Sequence, residues 1–306
     1  MIFLLAILGA VSQGALWGIM TLGVFITFKL LDFPDMTVDG SFSLGGAMSA
    51  VLITHGISPA ASLCAAMLAG ALAGSVTGLL HTKIKIPGIL AGILSMLALY
   101  SINIRLMNGP TIPLLGIKTL ISQIMQVTFL TKMLSALLVG VFFGALITSL
   151  LYWFFGTELG SAIRATGNNE KMIRALGVNT DAMKVLALAL ANALVSLSGA
   201  LVAQAQGYAD VQMGVGAIVI GLASIIIGEV FFGHFRSFWT KLFACLFGAA
   251  VYRIVIALVL QIGLKASDLK LLTAIIVAAA LSIPVIKQNM GQMMGQNIEQ
   301  KHRGKS

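Results

Sequence analysis

The chain alternates between long apolar stretches and short polar segments. A helix needs about 20 mostly apolar residues to cross a bilayer, and most of the charge-free stretches here are that long. They are continuous rather than alternating, which favours helices over the strands of a membrane barrel. The pattern predicts an all-α polytopic transmembrane helical bundle of about nine segments, with eight to ten as the range. The predicted segments are 2–28, 41–54, 58–80, 88–107, 133–155, 184–206, 214–233, 238–263 and 270–286.

Two of these segments, 41–54 and 214–233, are short or interrupted by glycine. Each follows a polar, acidic break, at residues 32–40 and 208–214, and the two units run in opposite directions. Inverted repeats around broken helices are typical of transporters. We predict one transmembrane domain over residues 1–286 and a polar, basic cytoplasmic tail over 287–306.

The composition supports a membrane protein. Only 9% of the 306 residues are charged and 58% are hydrophobic, whereas a soluble domain has about 25% charged residues. The net charge of +9 is explained by basic residues that collect in cytoplasmic loops, so we predict no nucleic-acid partner. With residues 156–183 placed in the cytoplasm, 13 of the 19 Lys and Arg residues fall on that side. This predicts an N-terminus outside and a C-terminus inside.

Residues 111–131 are only moderately apolar. Ile117, Leu120, Ile121 and Ile124 follow helical spacing, while polar residues lie between them. Two structures fit this pattern: an amphipathic helix on the outer membrane face, or an ordinary solvated loop.

The loop over residues 156–183 contains the signals of a short, rigid helix. Asn168 can cap its N-terminus, and Glu170 lies in the first turn, where the helix dipole favours a negative charge. Glu170 and Arg174 are four residues apart, and Gly177 is suited to the position after the last turn. Asn179 or Thr180 can then cap the next membrane helix. A capped, charged helix that protrudes from a bundle suits docking to a cytosolic partner.

This loop also resembles a known family. The motifs Thr157-Glu158-Leu159-Gly160, Arg164-Ala165-Thr166-Gly167-Asn168-Asn169 and Arg174-Ala175-Leu176-Gly177 look like the cytoplasmic loop of permease subunits in the branched-chain amino acid/ribose class of ABC importers. The stretch from Ala187 to Glu229 and the opening hairpin through Asp39-Gly40-Ser41 continue the similarity. Within that class the chain is most similar to a branch associated with aromatic amino acid uptake.

The resemblance implies a function, a site and partners. The loop would be a coupling helix that docks into a groove of an ABC ATPase, and ATP would be hydrolysed by that subunit. A permease homodimer in the bacterial inner membrane and an extracytoplasmic solute-binding protein are also implied. The chain has no G-x-x-x-x-G-K-[ST] motif, so we expect it to bind no ATP and no other cofactor. The implied coupling residues are Glu158, Gly160, Arg164, Thr166, Gly167, Asn168, Glu170, Arg174 and Gly177.

Several polar residues inside the predicted membrane segments are candidates for a translocation pathway. Each also has a structural interpretation: helix capping for Asp39 and Ser41, hydrogen bonds between helices for the amides, and pairing with another helix for the charged groups. Glu229 and Arg253 lie at different depths, so direct pairing between them is not expected. The pathway candidates are Asp39, Ser41, Asn103, Asn192, Gln204, Glu229 and Arg253.

Together these features predict the permease subunit of an ABC importer that moves a small solute, with an amino acid expected. The first alternative is an autonomous secondary transporter. An ion-coupling site normally uses several carboxylates inside the membrane, and in this sequence Glu229 alone qualifies, which counts against this alternative. The second is a membrane enzyme, which should show clustered catalytic groups at an interface. The sequence has neither such a cluster nor metal-ligand spacing among its histidines, so we expect no catalytic and no metal site.

Overall fold

The structure is a computed structural model that describes residues 2–232 and 237–261 and single positions at 271, 274, 275, 278 and 282. It is built almost entirely of helices. They are α1 (Ile2–Phe25, continued by a π-helical turn over Ile26–Leu30), α2 (Thr37–Thr54), α3 (Pro59–Thr82), α4 (Gly88–Met107), α5 (Leu120–Thr128), α6 (Lys132–Phe155), α7 (Glu158–Asn168), α8 (Glu170–Ala175), α9 (Thr180–Gln206), α10 (Ala217–Phe232) and α11 (Phe238–Gln261). Two short strands, β1 (Thr111–Pro113) and β2 (Tyr208–Asp210), pair antiparallel.

Six helices in the described part of the chain are long and apolar enough to cross a membrane. They are Leu5–Leu30, Pro59–Thr82, Gly88–Met107, Lys132–Phe155, Thr180–Gln206 and Phe238–Gln261. Each matches a predicted segment to within a few residues. Helix α10 is apolar but shorter, and α2 is not among the six. The predicted segment 270–286 falls almost wholly outside the described residues, as does the tail 287–306, so the count of nine stays a prediction.

Helix α2 lies in the interior of the bundle. It packs against α9, α3 and α4, and Val38, Phe42 and Ala47 on it are completely buried. Because it contacts protein rather than lipid, it can carry Ser, Thr, Gly and Asp side chains. This explains why its sequence is less apolar than that of a lipid-facing span.

Close approach between α2 and α9 depends on glycine. A Cβ added at Gly45 would lie only 2.6 Å from the Cα of Ser196 and would overlap its carbonyl group. Without a hydrophobic driving force in lipid, membrane helices associate through such tight packing and through hydrogen bonds between them. Two of these hydrogen bonds have their donors on α9. Ser196 Oγ donates to the carbonyl of Ser41 and Ser198 Oγ donates to the carbonyl of Leu16, each with an oxygen–oxygen distance of 2.7 Å.

An amphipathic helix within residues 111–131 is confirmed, over the narrower range of α5, while its position on the outer membrane face stays a prediction. Thr119 caps it through a reciprocal pair of hydrogen bonds with Ser122. Ile121 on its apolar face is 1% exposed and the helix packs against α6 and α9, so α5 covers protein. Strand β1 lies between α4 and α5. It pairs with β2, so the segment that follows α4 is hydrogen-bonded to the segment that follows α9.

Candidate functional site

The loop over residues 156–183 forms two helices rather than one. Thr157 caps α7 by accepting a hydrogen bond from the Gly160 amide, and α7 then continues to Asn168. The chain turns at Asn169, whose Oδ1 accepts from the Met172 amide over 3.1 Å and so caps α8. The prediction of Asn168 as the N-cap was therefore wrong, because Asn168 is the last residue of α7, a helix that the sequence did not indicate, and Asn169 takes the cap position.

Helix α8 is held on the start of α9 by charged side chains. Arg174 Nη2 lies 3.0 Å from Glu170 Oε1 and 2.9 Å from Asp181 Oδ1, and it also donates to Thr180 Oγ1 over 2.7 Å. Lys184 Nζ lies 2.7 Å from the other oxygen of Glu170. The predicted pairing of Glu170 with Arg174 is confirmed. The network also includes Thr180, Asp181 and Lys184, which the sequence alone did not connect to it.

Glu170 is the centre of this network. The hydrogen bond from Lys184 holds the pKa of its carboxyl below the ordinary value, and the charges of Lys184 and Arg174 act in the same direction. Burial opposes them only in part. At neutral pH the carboxylate is thus charged and joins α8 to α9.

Acid should weaken this attachment. Because the folded-state pKa of Glu170 is depressed, its contribution to stability is present above the ordinary carboxyl pKa of 4.5 and is lost as the pH falls through the folded value. We expect hydrogen exchange of α8 amides in the wild type to be slower than in Glu170→Gln at pH 7. Exchange mass spectrometry, corrected for the intrinsic pH dependence, should show this difference shrinking below about pH 4.5. A difference that persisted unchanged there would contradict the role given to the carboxylate.

Helix α7 is fastened to the ends of two spanning helices. A Cβ at Gly167 would overlap the carbonyl of Leu30 at the end of α1, and one at Gly160 would overlap the last turn of α6. Arg164 Nη2 donates to the carbonyl of Phe155, the last residue of α6, over 2.9 Å, and its guanidinium lies 5.5 Å from the ring centre of Phe238 on α11. Thr166 is buried, and its hydroxyl donates to the carbonyl of Ala162.

The other coupling candidates lie around this pair of helices. Glu158 is exposed in the first turn of α7, and Asn168 is exposed at its last residue. Gly177 has φ +87°, the left-handed conformation predicted for the residue after a helix. Of the two caps proposed for α9 it is Asn179 that accepts a hydrogen bond from the Ala182 amide.

The intramembrane candidates divide into those near the start of α2 and those further away. Asp39 does not cap its own helix: its carboxylate accepts from the amides of Gly216 and Ile218, over 2.9 and 3.0 Å, at the start of α10. Ser41 is already inside α2, so the capping interpretation was wrong for both residues. The reason is that α2 begins at Thr37, whose amide donates to Asp35 Oδ1.

Removing the Asp39 carboxylate should loosen α10. Asp39→Ala leaves two amides at the start of α10 without their partner, which costs about 1–3 kcal/mol for a buried polar group. We expect a lower melting temperature for the detergent-solubilised variant. Asp210→Ala is the matched control, because the one hydrogen bond that the Asp210 carboxylate accepts within the described residues comes from the exposed Gln212 amide in its own turn. Equal melting temperatures for the two variants would contradict the capping role.

The amides take part in bonds between helices. Asn192 Nδ2 donates to Asp35 over 2.7 Å, while Asn103 Nδ2 donates to the Gly40 carbonyl over 3.3 Å. Gln204 connects three elements, since it donates to Ser49 on α2 and accepts from the Leu120 amide at the start of α5. The Oδ1 atoms of Asn103 and Asn192 and the hydroxyl of Ser41 are buried and have no hydrogen-bond partner in the part of the chain that the structure describes. A role for these residues in a pathway stays a prediction.

Glu229 and Arg253 are not paired with each other, as the depth argument predicts. Glu229 lies 2.8 Å from Lys29 Nζ at the end of α1. The guanidinium of Arg253 stacks 3.9 Å above the ring centre of Trp17, which in turn packs against Phe42. Both charged groups thus join α1 to a later helix, in agreement with the structural interpretation.

Comparison with known proteins decides what kind of protein carries this arrangement. Residues 6–283 match the model of the family described as "Branched-chain amino acid transport system / permease component". The chain belongs to this family. It is therefore an ABC transporter permease component and a multi-pass membrane protein, and its family consists of transport permeases rather than enzymes.

Individual relatives give the same answer. The permease is 41% identical to the tyrosine transport system permease protein of Clostridioides difficile, over 90% of each chain. It is 23% identical to the ribose import permease protein RbsC of Escherichia coli K12, over 61% of this chain and 58% of the relative. A solved structure described as an inward-facing conformation of a metal-chelate type ABC transporter aligns over 92% of this chain and 85% of its own. That alignment has a TM-score of 0.50 and 17% identity, and it supports the fold.

The structure of the permease adds a surface that the sequence did not reveal. Met172 and Leu176 lie one turn apart at α8, and they are 53% and 71% exposed. Together they form an apolar surface on a short helix that otherwise carries charged side chains, which makes this surface a candidate interaction site. The four-residue spacing was visible in the sequence, but the loop offered no way to tell that Ile173 is buried while its neighbours are exposed.

Proposed function

We propose that this permease is the membrane-spanning subunit of an ABC importer in the bacterial inner membrane, and that it moves a small solute of the amino acid class. Tyrosine is the first candidate, because the relative with 41% identity carries that description. An extracytoplasmic binding protein delivers the solute, and two permease copies form a homodimer with the pathway between them. The chain itself binds no cofactor, and the ATP is hydrolysed by a partner ATPase.

The attachment of α7 and α8 to the spanning helices carries this proposal. An ATPase that docks on Met172 and Leu176 moves α8. The ion pairs of Glu170 with Arg174 and Lys184 pass this motion to α9. The close contact of Gly167 with Leu30 passes it through α7 to the end of α1. A flexible loop would absorb such a motion. The pair α7–α8 instead has short, direct contacts to the helices that must move.

This role fixes the orientation. The α7–α8 end faces the cytoplasm, because that is where the ATPase finds ATP. Counting the nine predicted segments outward from there gives the proposed orientation, with the N-terminus outside and the C-terminus inside, and the distribution of Lys and Arg residues supports it.

Charging the exposed face of α8 should prevent docking. Met172→Glu and Leu176→Glu bury a carboxylate in the interface, and we expect the ATPase that co-purifies with the permease to fall by about tenfold or more. Leu115→Glu is the matched control, because Leu115 is 87% exposed and lies beyond β1 at the opposite end of the bundle. Equal ATPase recovery from all three variants would refute the docking face.

Transport measurements separate this proposal from a secondary transporter. In proteoliposomes that hold permease, ATPase and binding protein, tyrosine uptake should require ATP. Uptake by the permease alone under an ion gradient would support the secondary transporter instead. Ribose as a competing solute tests the choice of an amino acid, since uptake of ribose but not tyrosine would overturn that choice alone.

A further inference from the structure

Two cavities adjoin each other where α1, α6, α7 and α11 meet, at the end of the bundle that carries α8. The first, of 310 Å³, is lined by Lys29, Leu30, Arg164, Asn168, Phe238 and Lys241. The second, of 470 Å³, is lined by four aromatic residues together with Gly156, Thr157 and Arg164; the aromatic residues are Tyr152, Trp153, Phe155 and Phe238. Arg164 and Phe238 belong to both. One cavity is basic, its neighbour is aromatic, and a single arginine lies between them.

The basic cavity has more positive charge than its neighbours neutralise. Lys29 is paired with Glu229, whereas the partners of Arg164 within the described residues are the Phe155 carbonyl, the Ser161 hydroxyl and the Phe238 ring. Lys241 is half-buried and has no carboxylate partner among the described residues. Two cations without a carboxylate, directed at one cavity together with the amide of Asn168, suit a phosphate group.

The aromatic cavity has the side chains that are typical of the level where lipid meets water. Tyr152, Trp153 and Trp239 are 51%, 69% and 43% exposed at the ends of α6 and α11, and aromatic side chains of this kind mark the membrane interface. Their apolar surfaces suit a glycerol backbone and the first part of an acyl chain. Basic pockets between membrane helices bind anionic lipid headgroups in the same manner.

From this arrangement we propose that the permease binds an anionic phospholipid here. The phosphate lies in the basic cavity between Arg164 and Lys241, and the acyl chains leave past Tyr152 and Trp153. The lipid would connect the end of α6 with the start of α11 and lie beside α7. This inference needs only the membrane location of the chain, so it stands or falls separately from the proposed substrate and partners.

Native mass spectrometry of the full-length, detergent-purified permease tests the site. We expect phosphatidylglycerol to be retained about fivefold or more over phosphatidylcholine with the same acyl chains. Lys241→Gln should lower this ratio about fivefold, the effect of one basic residue at an anionic surface. Lys83→Gln is the matched control, since Lys83 is an exposed lysine at the same end of the bundle with no ion pair among the described residues. Tyr152→Ala should lower retention of both lipids, because it removes acyl-chain contact rather than charge.

Other outcomes would overturn the proposal. Equal retention of the two lipids, or equal ratios in Lys241→Gln and Lys83→Gln, would show that this cavity does not recognise an anionic headgroup. If inorganic phosphate or glycerol phosphate displaced the lipid at millimolar concentration, the site would belong to a soluble phosphate compound. If Lys241→Gln reduced ATPase recovery and left the lipid ratio unchanged, the cavity would serve an acidic segment of that partner.

Discussion

Gly45→Val is expected to destabilise the membrane core of the permease strongly. The added Cβ would lie only 2.6 Å from the Cα of Ser196. A backbone atom cannot rotate away from such a contact as the end of a side chain can. Helices α2 and α9 would have to separate, and the hydrogen bond from Ser196 Oγ to the Ser41 carbonyl would lengthen. Overpacking of this kind costs about 1–3 kcal/mol and occasionally more. Thermal unfolding in detergent should show the loss.

Gly109→Val provides the control for this experiment. Gly109 lies between α4 and β1, a Cβ there would have nothing within 4 Å, and its φ is outside the left-handed region. We expect a near-wild-type melting temperature and a normal yield of folded protein. If the two valine variants were equally stable, the close contact between α2 and α9 would not exist in the folded permease.

The second large effect concerns function rather than stability. A Cβ at Gly167 would overlap the Leu30 carbonyl and lie 2.9 Å from Leu31 Cα, so Gly167→Val pushes α7 away from the end of α1. Arg164→Ala removes the bond to the Phe155 carbonyl that holds α7 on α6. Together the two changes detach α7 while the exposed face of α8 is left intact. We expect normal membrane insertion, normal ATPase binding and uptake reduced by about tenfold or more.

Much of the fold follows from the apolar pattern. A span in lipid must be apolar along its whole length, so α3, α4, α6 and α11 could be located to within a few residues. Helix α2 was harder to define, because its position inside the bundle allows polar residues and its start depends on Asp35, which a hydropathy pattern does not register. Helix α7 was missed for a related reason: Gly160 and Gly167 look like helix breakers, yet they are where α7 meets other backbones.

The site was predictable only as far as its contacts are local. Glu170 and Arg174 are one turn apart, so their pairing could be read from spacing. The bond from Lys184 to Glu170 and the bond from Arg164 to Phe155 depend on how α7 and α8 fold back on the spans. Asp39 shows the limit most clearly, since its partners at Gly216 and Ile218 are distant in sequence and become neighbours only when the second break approaches α2.

The number of solute molecules moved for each ATP hydrolysed tests the coupling role of α7 most directly. Proteoliposomes with the ATPase, the binding protein and either wild-type permease or Gly167→Val/Arg164→Ala would be assayed for uptake and hydrolysis in the same sample. With ATPase recovery equal in both, the ratio should fall about tenfold or more in the double variant, because hydrolysis continues while the spans no longer follow. An unchanged ratio, with α7 detached, would contradict the account.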